Sequence, residues 1–219
     1  MFSSLFYGGK MENLSTIIMG IATIISALSA FFVTVIKSKK ELEETLPKKI
    51  KKQCAVDIEI TDKMEYLKEY LVADRIQIYD FHNGGHYANG RSALKTTCTF
   101  EVVRSGIIAH QKDLQAVPLS CIPKFIQKLL SENKLKVNDL EEIKETMPAT
   151  YELKKAQNVV SFFDVILNNK NGEPIGFLAI QYSRKNCVNF NSNEKNEIYR
   201  LKYFIEENLE KMVGKEKQK

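Results

Sequence analysis

The chain has 219 residues, a charged fraction of 27% and a formal net charge of +5 at neutral pH. This length accommodates one or two domains, and the apolar content is too high for a disordered protein. The positive charge is modest, and no zinc finger, helix-turn-helix or RNA-recognition motif follows the basic residues, so nucleic acid is not expected as a partner.

The first predicted element is a membrane-spanning helix at residues 14–36, after a short N-terminal head at residues 1–13. The segment from Leu14 to Ile36 contains no charged residue. In a helix it would extend roughly 34 Å, which is enough to cross a bilayer core. The alternatives are a cleaved signal peptide and a buried core helix. Against a signal peptide, Lys10 is the only basic residue ahead of the segment, and bulky residues rather than a small-residue cleavage site close it. The sequence therefore predicts a retained span with membrane lipid around it.

The flanks of this segment predict its orientation. One lysine precedes the span, whereas seven follow it closely, and lysine resists translocation. These seven are Lys37, Lys39, Lys40, Lys48, Lys49, Lys51 and Lys52. The prediction is a single-pass protein of the inner membrane with its soluble domain in the cytoplasm.

Small residues recur every four positions within the span and would form one helical stripe. They are Ala22, Ser26, Ala30 and Thr34. Such stripes let two membrane helices approach closely, so they favour a homo-oligomer; a generic span with a few small residues is the alternative.

A basic juxtamembrane segment, residues 37–54, links the span to the soluble domain. Its charged start reads as a helical continuation, and Pro47 predicts an interruption. A second helix is predicted at residues 56–72, because the spacing of Ile60, Met64 and Leu67 produces one apolar stripe. This helix is a second place where two copies of the chain would associate.

Strand and helix signals then alternate along the soluble domain. Residues 75–81 predict a strand that ends in a turn at residues 82–87, and residues 95–103 predict its partner strand. A helix is predicted at 121–130, and a helical or irregular segment at 135–147. Strands at 159–167 and 175–182 flank an Asn171-Gly172 turn signal, and Asn191 with Glu194 resembles a capping box that opens a last helix. The tail, residues 214–219, is basic.

The hairpin Gly172-Glu173-Pro174-Ile175-Gly176-Phe177-Leu178, followed by Phe190 and the last helix, resembles the C-terminal half of GAF domains. The whole order of elements is similar to the GAF and PAS families of small-molecule sensors. This resemblance covers about residues 55–213 and implies an α+β fold with an antiparallel sheet flanked by helices. It also implies a ligand between the sheet and the loops or helices that cover it, while leaving any cofactor unknown.

The candidate ligand site lies around the glycine-rich stretch from His82 to Arg91, which is dense in polar side chains. Arginine recognises an anion in bidentate fashion and tyrosine stacks on a ring, so a small anionic or aromatic ligand is expected. A hairpin turn that needs its glycines only for backbone geometry is the alternative. The predicted ligand-binding residues are Tyr79, Phe81, His82, Asn83, Gly84, Gly85, His86, Tyr87, Arg91, Cys98, Phe100 and Glu101.

The motifs of common catalytic and metal sites are absent from the sequence. There is no nucleophile elbow, Walker loop or zinc-protease motif, so no catalytic residue is assigned and a non-enzymatic protein is expected. His82 and His86 suggest a metal pair only if helical, and the adjacent glycines oppose a helix, so no metal site is predicted. The four cysteines form no C-x-x-C motif and fit free thiols, although an even number also permits two disulfides. Since one GAF-like group of reductases uses pocket cysteines, Cys98 is the candidate for a thiol-based activity.

The layout of a short head, one span, a charged helix and a small soluble domain also resembles the T-even type of phage holin. That resemblance implies a lysis protein whose span oligomerises and whose soluble domain regulates timing. Such a holin carries its soluble domain outside the inner membrane, whereas the lysines here favour the inside. The leading hypothesis is therefore a membrane-anchored, non-enzymatic sensing or interaction protein of the signalling type. The short, Lys- and Asn-rich sequence suggests a phage source. A holin is the alternative.

Overall fold

The computed structural model describes residues 5–42 and 46–213. The chain divides into two compact units, residues 1–52 and residues 53–219. Part of the predicted head and of the basic linker, and all of the basic tail, lie outside the described residues. The domain limits given above therefore stay a prediction.

The first unit contains helix α1 (Leu5–Leu42). Its residues Ile18–Val35 have a mean hydropathy of 2.2 and none of them is buried; by length and composition this part of the helix could cross a membrane. The core helix of a soluble protein and a signal sequence near an N-terminus meet the same criteria of length and composition. The hydroxyl group of Thr34 donates to the Ala30 carbonyl at 2.7 Å, so it is satisfied within its own helix.

Helix α2 (Leu46–Tyr70) includes Pro47 in its first turn, where a missing N–H is tolerated. The interruption predicted at Pro47 is therefore a helix start. The predicted apolar stripe is confirmed, since Ile60, Met64 and Leu67 are buried.

The soluble domain is built on one six-stranded antiparallel sheet in the order β3-β2-β1-β6-β5-β4. This confirms the predicted α+β class and the antiparallel sheet. The strands are β1 (Arg75–His86), β2 (Ser92–Val103), β3 (Val117–Pro118), β4 (Lys134–Val137), β5 (Ser161–Asn168) and β6 (Pro174–Tyr182).

Three further helices cover the sheet: α3 (Pro123–Glu132), α4 (Pro148–Ala156) and α5 (Ser192–Val213). The predicted capping box at the start of α5 is confirmed. The Asn191 amide N donates to Glu194 Oε2 at 2.7 Å, and the Glu194 amide N donates to Asn191 Oδ1 at 3.0 Å. This reciprocal pair satisfies two of the amides that a helix start leaves without partners.

The predicted turn at residues 82–87 is wrong, because β1 continues to His86 and the chain turns at Tyr87–Arg91. β1 pairs with β6 only as far as Asp80, so residues 82–86 pair with β2 alone, and we term residues 82–92 the hairpin arm. All of these residues are exposed. The two glycines at 84 and 85 lie in an irregularity of the β1–β2 pairing between Asn83 and His86, where Gly85 has a positive φ of 104°, so a turn-like sequence occurs inside a strand.

The segment 135–147, predicted as helical or irregular, contains a strand. β4 pairs with β5 from Lys134 to Val137, and a 3₁₀ turn at Leu140–Ile143 follows. By contrast, the predicted hairpin between β5 and β6 is confirmed. Its loop closes with Gly172 in the left-handed region at φ 77°, while the Asn169 side chain accepts from the Asn171 and Glu173 amides.

The two sides of the sheet carry two separate cores. We term the side under α2 and α5 the apolar face, and the side under α3 and α4 the polar face. The apolar face buries Ile76 and Ile78 of β1 with Leu178 and Ile180 of β6. The polar face buries the alternate residues Tyr79, Phe177 and Ala179, because successive strand residues point to opposite sides.

Gly176 lies where β1 and β6 approach most closely. A Cβ atom at this position would lie 2.0 Å from the Tyr79 carbonyl oxygen, which is far inside contact distance. Glycine is therefore required here by close backbone approach, in the hairpin whose sequence resembles GAF domains.

Candidate functional site

The polar face carries a connected group of buried polar side chains from β1, β2 and β6. We term this group the polar network; its members are Arg75, Gln77, Tyr79, Glu101 and Gln181. In the strand sequences these residues alternate with apolar ones, and this pattern predicts that they face solvent. Helices and loops cover them instead, so they bond to one another.

An ion pair between Arg75 and Glu101 is the centre of the network. Arg75 Nε lies 3.1 Å from Glu101 Oε1, and the two side chains are only 3% and 2% exposed. Burial lowers the pKa of Arg75, opposed by the charge of Glu101. Both groups are thus withdrawn from water and held as a mutually compensating pair.

The remaining guanidinium donors of Arg75 bind the chain on three sides. Nη1 donates to the Gln157 carbonyl at 3.2 Å and to Gln181 Oε1 at 3.0 Å, and Nη2 donates to the Ile108 carbonyl at 2.7 Å. Of the five donors of a guanidinium, the Nε–H, which faces Glu101, makes no hydrogen bond among the described residues, and one Nη2 hydrogen is left over. Arg75 therefore joins β6, the end of α4 and the loop after β2.

Glu101 fixes the same loop from the other side. Its Oε2 accepts from the backbone amides of His110 at 2.8 Å and Gln111 at 2.7 Å. Its Oε1 also accepts from Gln77 Nε2 at 2.8 Å. The carboxylate is thus well supplied with donors, and the loop that covers this part of the face depends on it.

Two amides and a phenol complete the network. Gln77 Oε1 accepts from the Tyr79 hydroxyl at 2.9 Å and from Gln181 Nε2 at 2.8 Å. Burial raises the pKa of Tyr79 well above its ordinary value, so the phenol stays a donor. Hydrogen-bonded chains of this kind are cooperative, so a change at one member alters the others.

A cleft of about 180 Å³ opens beside Arg75, between the end of α4 and the loop after β2. Its lining includes Asp74, Arg75, His110, Gln157, Gln181 and Ser183. Gln157 Oε1 is buried and has no hydrogen-bond partner among the described residues. Gln157, with its unpaired acceptor, and Arg75, with an unused donor, thus line the same cleft.

The charges around this cleft are already compensated. Asp74 accepts from the Ser183 amide and hydroxyl group, both at 2.7 Å, and pairs with Arg104 at 2.6 Å. Arg75 pairs with Glu101. A neutral polar molecule fits this environment better than an ion, because no buried charge is left for an ion to neutralise.

A second buried ion pair lies on the same face. Lys154 Nζ is 3.2 Å from Asp164 Oδ2 and lies 4.5 Å above the ring of Phe162. Burial lowers the pKa of Lys154 and raises that of Asp164, and each is opposed by the charge of the other. Asp164 Oδ1 has no partner among the described residues. The pair thus places an incompletely satisfied carboxylate inside the polar face.

Aromatic rings fill the centre of the polar face. Tyr79 stacks on Phe177 with ring centroids 4.4 Å apart, and Phe125 of α3 meets Phe177 edge-on at 5.6 Å. Phe81 lies 5.9 Å from the same ring. This layer holds Tyr79 rigidly, so the hydroxyl group that joins the network has a fixed position.

The structure does not bring the predicted ligand-binding residues into one place. Tyr79, Cys98 and Glu101 are buried on the polar face, and Phe81 packs at its margin. Phe100 packs against the core of the apolar face instead. A bulge between β1 and β2 separates Phe100 from Cys98, since Ile78 pairs with Phe100 and Tyr79 with Cys98.

The other predicted residues lie in the hairpin arm, exposed to solvent. These are His82, Asn83, Gly84, Gly85, His86, Tyr87 and Arg91. The Arg91 guanidinium lies 4.9 Å above the Tyr87 ring, so the two groups expected to hold a ligand contact each other. His82 Nε2 lies 2.8 Å from Thr97 Oγ1 across the ribbon. Ligand binding at these residues stays a prediction.

The chemistry of the cysteines and histidines bears on the enzymatic and metal alternatives. Burial raises the pKa of Cys98 to about 12, so its side chain is a neutral thiol at pH 7 and a poor nucleophile. All four cysteines are free. In the part of the chain that the structure describes, no three metal-ligating side chains of His, Cys, Asp or Glu cluster together.

Sequence reasoning missed Arg75, Gln77, Gln157 and Gln181. Arg75, Gln77 and Gln181 stand in strands, where polar residues that alternate with apolar ones ordinarily indicate a side exposed to solvent. Gln157 follows α4 and carries no motif. One signal was available in the sequence: Arg75 stands beside Asp74 at the very start of a predicted strand. Adjacent opposite charges at such a position are compatible with burial, because a buried arginine requires a partner.

Comparisons with known proteins support the fold. No protein-family model and no curated protein matches the chain. Among solved structures, the phycocyanobilin-bound GAF domain of a cyanobacterial phytochrome is 15% identical with a TM-score of 0.56, covering 76% of this chain and 91% of that one. A red/green cyanobacteriochrome in its red light-absorbing state is 15% identical with a TM-score of 0.55, covering 74% and 97%.

A third similar structure is the blue-light absorbing form of the PixJ GAF domain from Thermosynechococcus elongatus. It is 13% identical with a TM-score of 0.56, and the alignment covers 78% of this chain and 96% of that one. At such identities the likeness shows the fold alone. The soluble domain thus has a GAF-like fold, as its hairpin and last helix predicted.

Proposed function

We propose that this chain is a membrane-anchored, non-enzymatic sensing protein whose GAF-like domain binds a small neutral ligand in the cleft beside Arg75. The observation that carries the proposal is that Gln157, whose buried Oε1 accepts no hydrogen bond from the described residues, lines the same cleft as Arg75, whose guanidinium keeps an unused donor. An acceptor beside a donor is complementary to the N–H and C=O edge of a lactam or cyclic urea. The similar phytochrome domain is bound to phycocyanobilin, which supports a small-molecule role for this fold.

The connection between the cleft and α2 supports sensing. Asp74 and Arg75 line the cleft and follow the last residue of α2, Tyr70, by only a few positions. The Tyr182 hydroxyl group donates to the Leu71 carbonyl at 3.2 Å, and Lys68 Nζ donates to the Val103 carbonyl at 3.1 Å. A ligand that shifts Arg75 therefore acts on the segment that ends α2.

Titration of the full-length protein in phosphatidylcholine nanodiscs with uracil, followed by calorimetry, tests the cleft. We expect uracil to bind and 1,3-dimethyluracil, which lacks both N–H donors, to bind at least about tenfold more weakly. Gln157→Leu should remove the preference, whereas Gln53→Leu on exposed α2 should leave it unchanged. Equal affinity for the two compounds would exclude the proposed recognition.

The membrane anchor and its orientation are a separate part of the proposal. They are supported by the apolar length of α1 and by the lysines that follow it. A variant that retains only Cys121, which is exposed, permits labelling of spheroplasts with an impermeant maleimide. We expect labelling only after the membrane is permeabilised. Labelling of intact spheroplasts would favour the holin alternative, which rests on the layout of the sequence.

A further inference from the structure

A second cavity lies on the opposite side of the sheet from the polar network. It has a volume of about 330 Å³ and lies between the edge strand β4 and the start of α5. We term it the lysine groove. Its lining contains Lys134, Lys136 and Lys195 at the rim and Phe163, Phe190 and Ile198 at the floor.

The floor of the lysine groove is apolar and aromatic. Phe163 and Phe190 meet edge-on with ring centroids 5.5 Å apart, and Val188 and Ile198 are buried beside them. Tyr199 adds a half-buried ring to the wall. An apolar cavity of a few hundred cubic ångströms is the ordinary size of a small-molecule site.

The rim of the groove is positively charged without compensation. Lys134 and Lys136 alternate along β4 with the buried Leu135 and Val137, so both lysines lie on the side of the groove. No acidic residue lines the cavity. Among the described residues none of the three lysines forms an ion pair, and Lys136 Nζ donates only to the neutral Asn189 Oδ1, at 2.5 Å.

Protection of the sheet edge explains only part of this arrangement. Lysines on an edge strand prevent pairing with other chains, which accounts for Lys134 and Lys136. It does not account for Lys195, which stands on α5, or for the open apolar cavity beneath all three. An uncompensated cationic rim over an aromatic floor is complementary to a molecule with an anionic head and an apolar body.

We propose that the lysine groove binds a small soluble carboxylate with an aromatic or aliphatic body. The body lies on Phe163 and Phe190, and the carboxylate lies between the lysine ammonium groups. This site is distinct from the cleft beside Arg75, because the two lie on opposite faces of the sheet and share no lining residue. Occupancy bridges β4 and the first turns of α5, so it ties α5 to the edge of the sheet.

The experiment uses the full-length protein in phosphatidylcholine nanodiscs and 2-naphthoate as the fluorescent probe. We expect saturable binding that is at least about tenfold tighter than binding of the neutral 2-naphthamide and that weakens with added salt. The variant Lys136→Glu/Lys195→Glu should bind 2-naphthoate at least tenfold more weakly. The matched control Lys124→Glu/Lys128→Glu reverses two exposed lysines on α3, and it should leave the affinity unchanged.

Three results would overturn the proposal. The first is equal affinity for 2-naphthoate and 2-naphthamide, and the second is an equal loss of affinity in the two double variants. The third is binding of phosphatidylglycerol vesicles that depends on Lys136 and Lys195 in the absence of any naphthoate binding, which would assign the lysines to a lipid surface. Thermal unfolding of both variants serves as the folding check, and Lys136→Gln/Lys195→Gln repeats the test without introducing negative charge.

Discussion

Both faces of the sheet are covered by helices, but the side chains buried beneath those helices differ in chemistry between the two faces. On the apolar face α2 and α5 cover aliphatic side chains, and non-directional burial stabilises the contact. On the polar face α3, α4 and the loop after β2 cover two ion pairs and three buried amides. Buried ion pairs add little to stability because desolvation offsets their attraction. Aliphatic burial therefore stabilises the apolar face, whereas the polar face, which also buries an aromatic layer, carries the groups that we propose bind a ligand.

The largest expected effect comes from breaking the ion pair of the polar face. Arg75→Met leaves Glu101 charged and buried and removes the partners of the Gln157 and Ile108 carbonyls. We expect a loss of about 3–5 kcal/mol in the free energy of unfolding, measured by urea titration with circular dichroism. Arg104→Met is the control: Arg104 pairs with Asp74 but its side chain is 42% exposed, so about 1 kcal/mol or less is expected. A loss in Arg75→Met no larger than in the control would contradict the description of the network.

A cavity in the apolar face tests how much aliphatic burial on that face contributes to the free energy of unfolding. Leu67 of α2 is 1% exposed and lies in the apolar core. Leu67→Ala should lower the free energy of unfolding by roughly 3 kcal/mol, in the same urea titration, because it removes buried methyl groups and leaves a void. Ile58→Ala, on an exposed position of the same helix, should change stability by no more than about 0.5 kcal/mol. Because Leu67 lies on the opposite side of the sheet from the cleft, Leu67→Ala should also leave uracil binding unchanged at temperatures where the domain is folded.

The smallest effect concerns a carboxylate that breaks the pattern of the apolar face. By strand alternation Asp80 lies on the same side as Ile76 and Ile78. Burial raises the pKa of Asp80 to about 6, partly opposed by Thr99 and His82. The folded protein thus binds a proton more tightly than the unfolded chain, so this group favours folding below about pH 4 and loses that contribution as the pH rises towards 6.

Asp80→Asn removes this titration. At pH 7 the variant should be more stable than the original chain by about 2 kcal/mol, and near pH 3.5 the two should be nearly equal. Urea titrations at several pH values measure the difference. The same substitution at the exposed Asp62 serves as the control. A difference that is independent of pH would show that Asp80 does not titrate as described.

Local patterns predicted most of the scaffold. The stripe of Ile60, Met64 and Leu67 is a helical period, and the Asn191 and Glu194 capping box is a local contact, so both are readable from neighbouring residues. The same holds for the β5–β6 hairpin. The hairpin arm was mistaken for a turn because glycines that serve an irregularity within paired strands resemble the glycines of a turn.

The cleft could not be predicted in this way because its parts meet only in the folded chain. Arg75 and Gln157 are 82 positions apart, and Arg75 and Gln181 are 106 apart. Nothing in the local sequence distinguishes Gln77, which lies on a buried side of its strand, from a glutamine on a solvent-exposed side. The predicted site followed the density of unusual residues instead, which led to the arm.

The close approach at Gly176 makes the two faces interdependent at one point. The two residues that follow this glycine along β6 serve different sides: Phe177 stacks on Tyr79, and Leu178 joins the aliphatic core. A methyl group at position 176 would have to part β1 from β6, which would move both of these residues at once. An evolutionary replacement of Gly176 would therefore have to satisfy two unrelated sets of contacts in a single step.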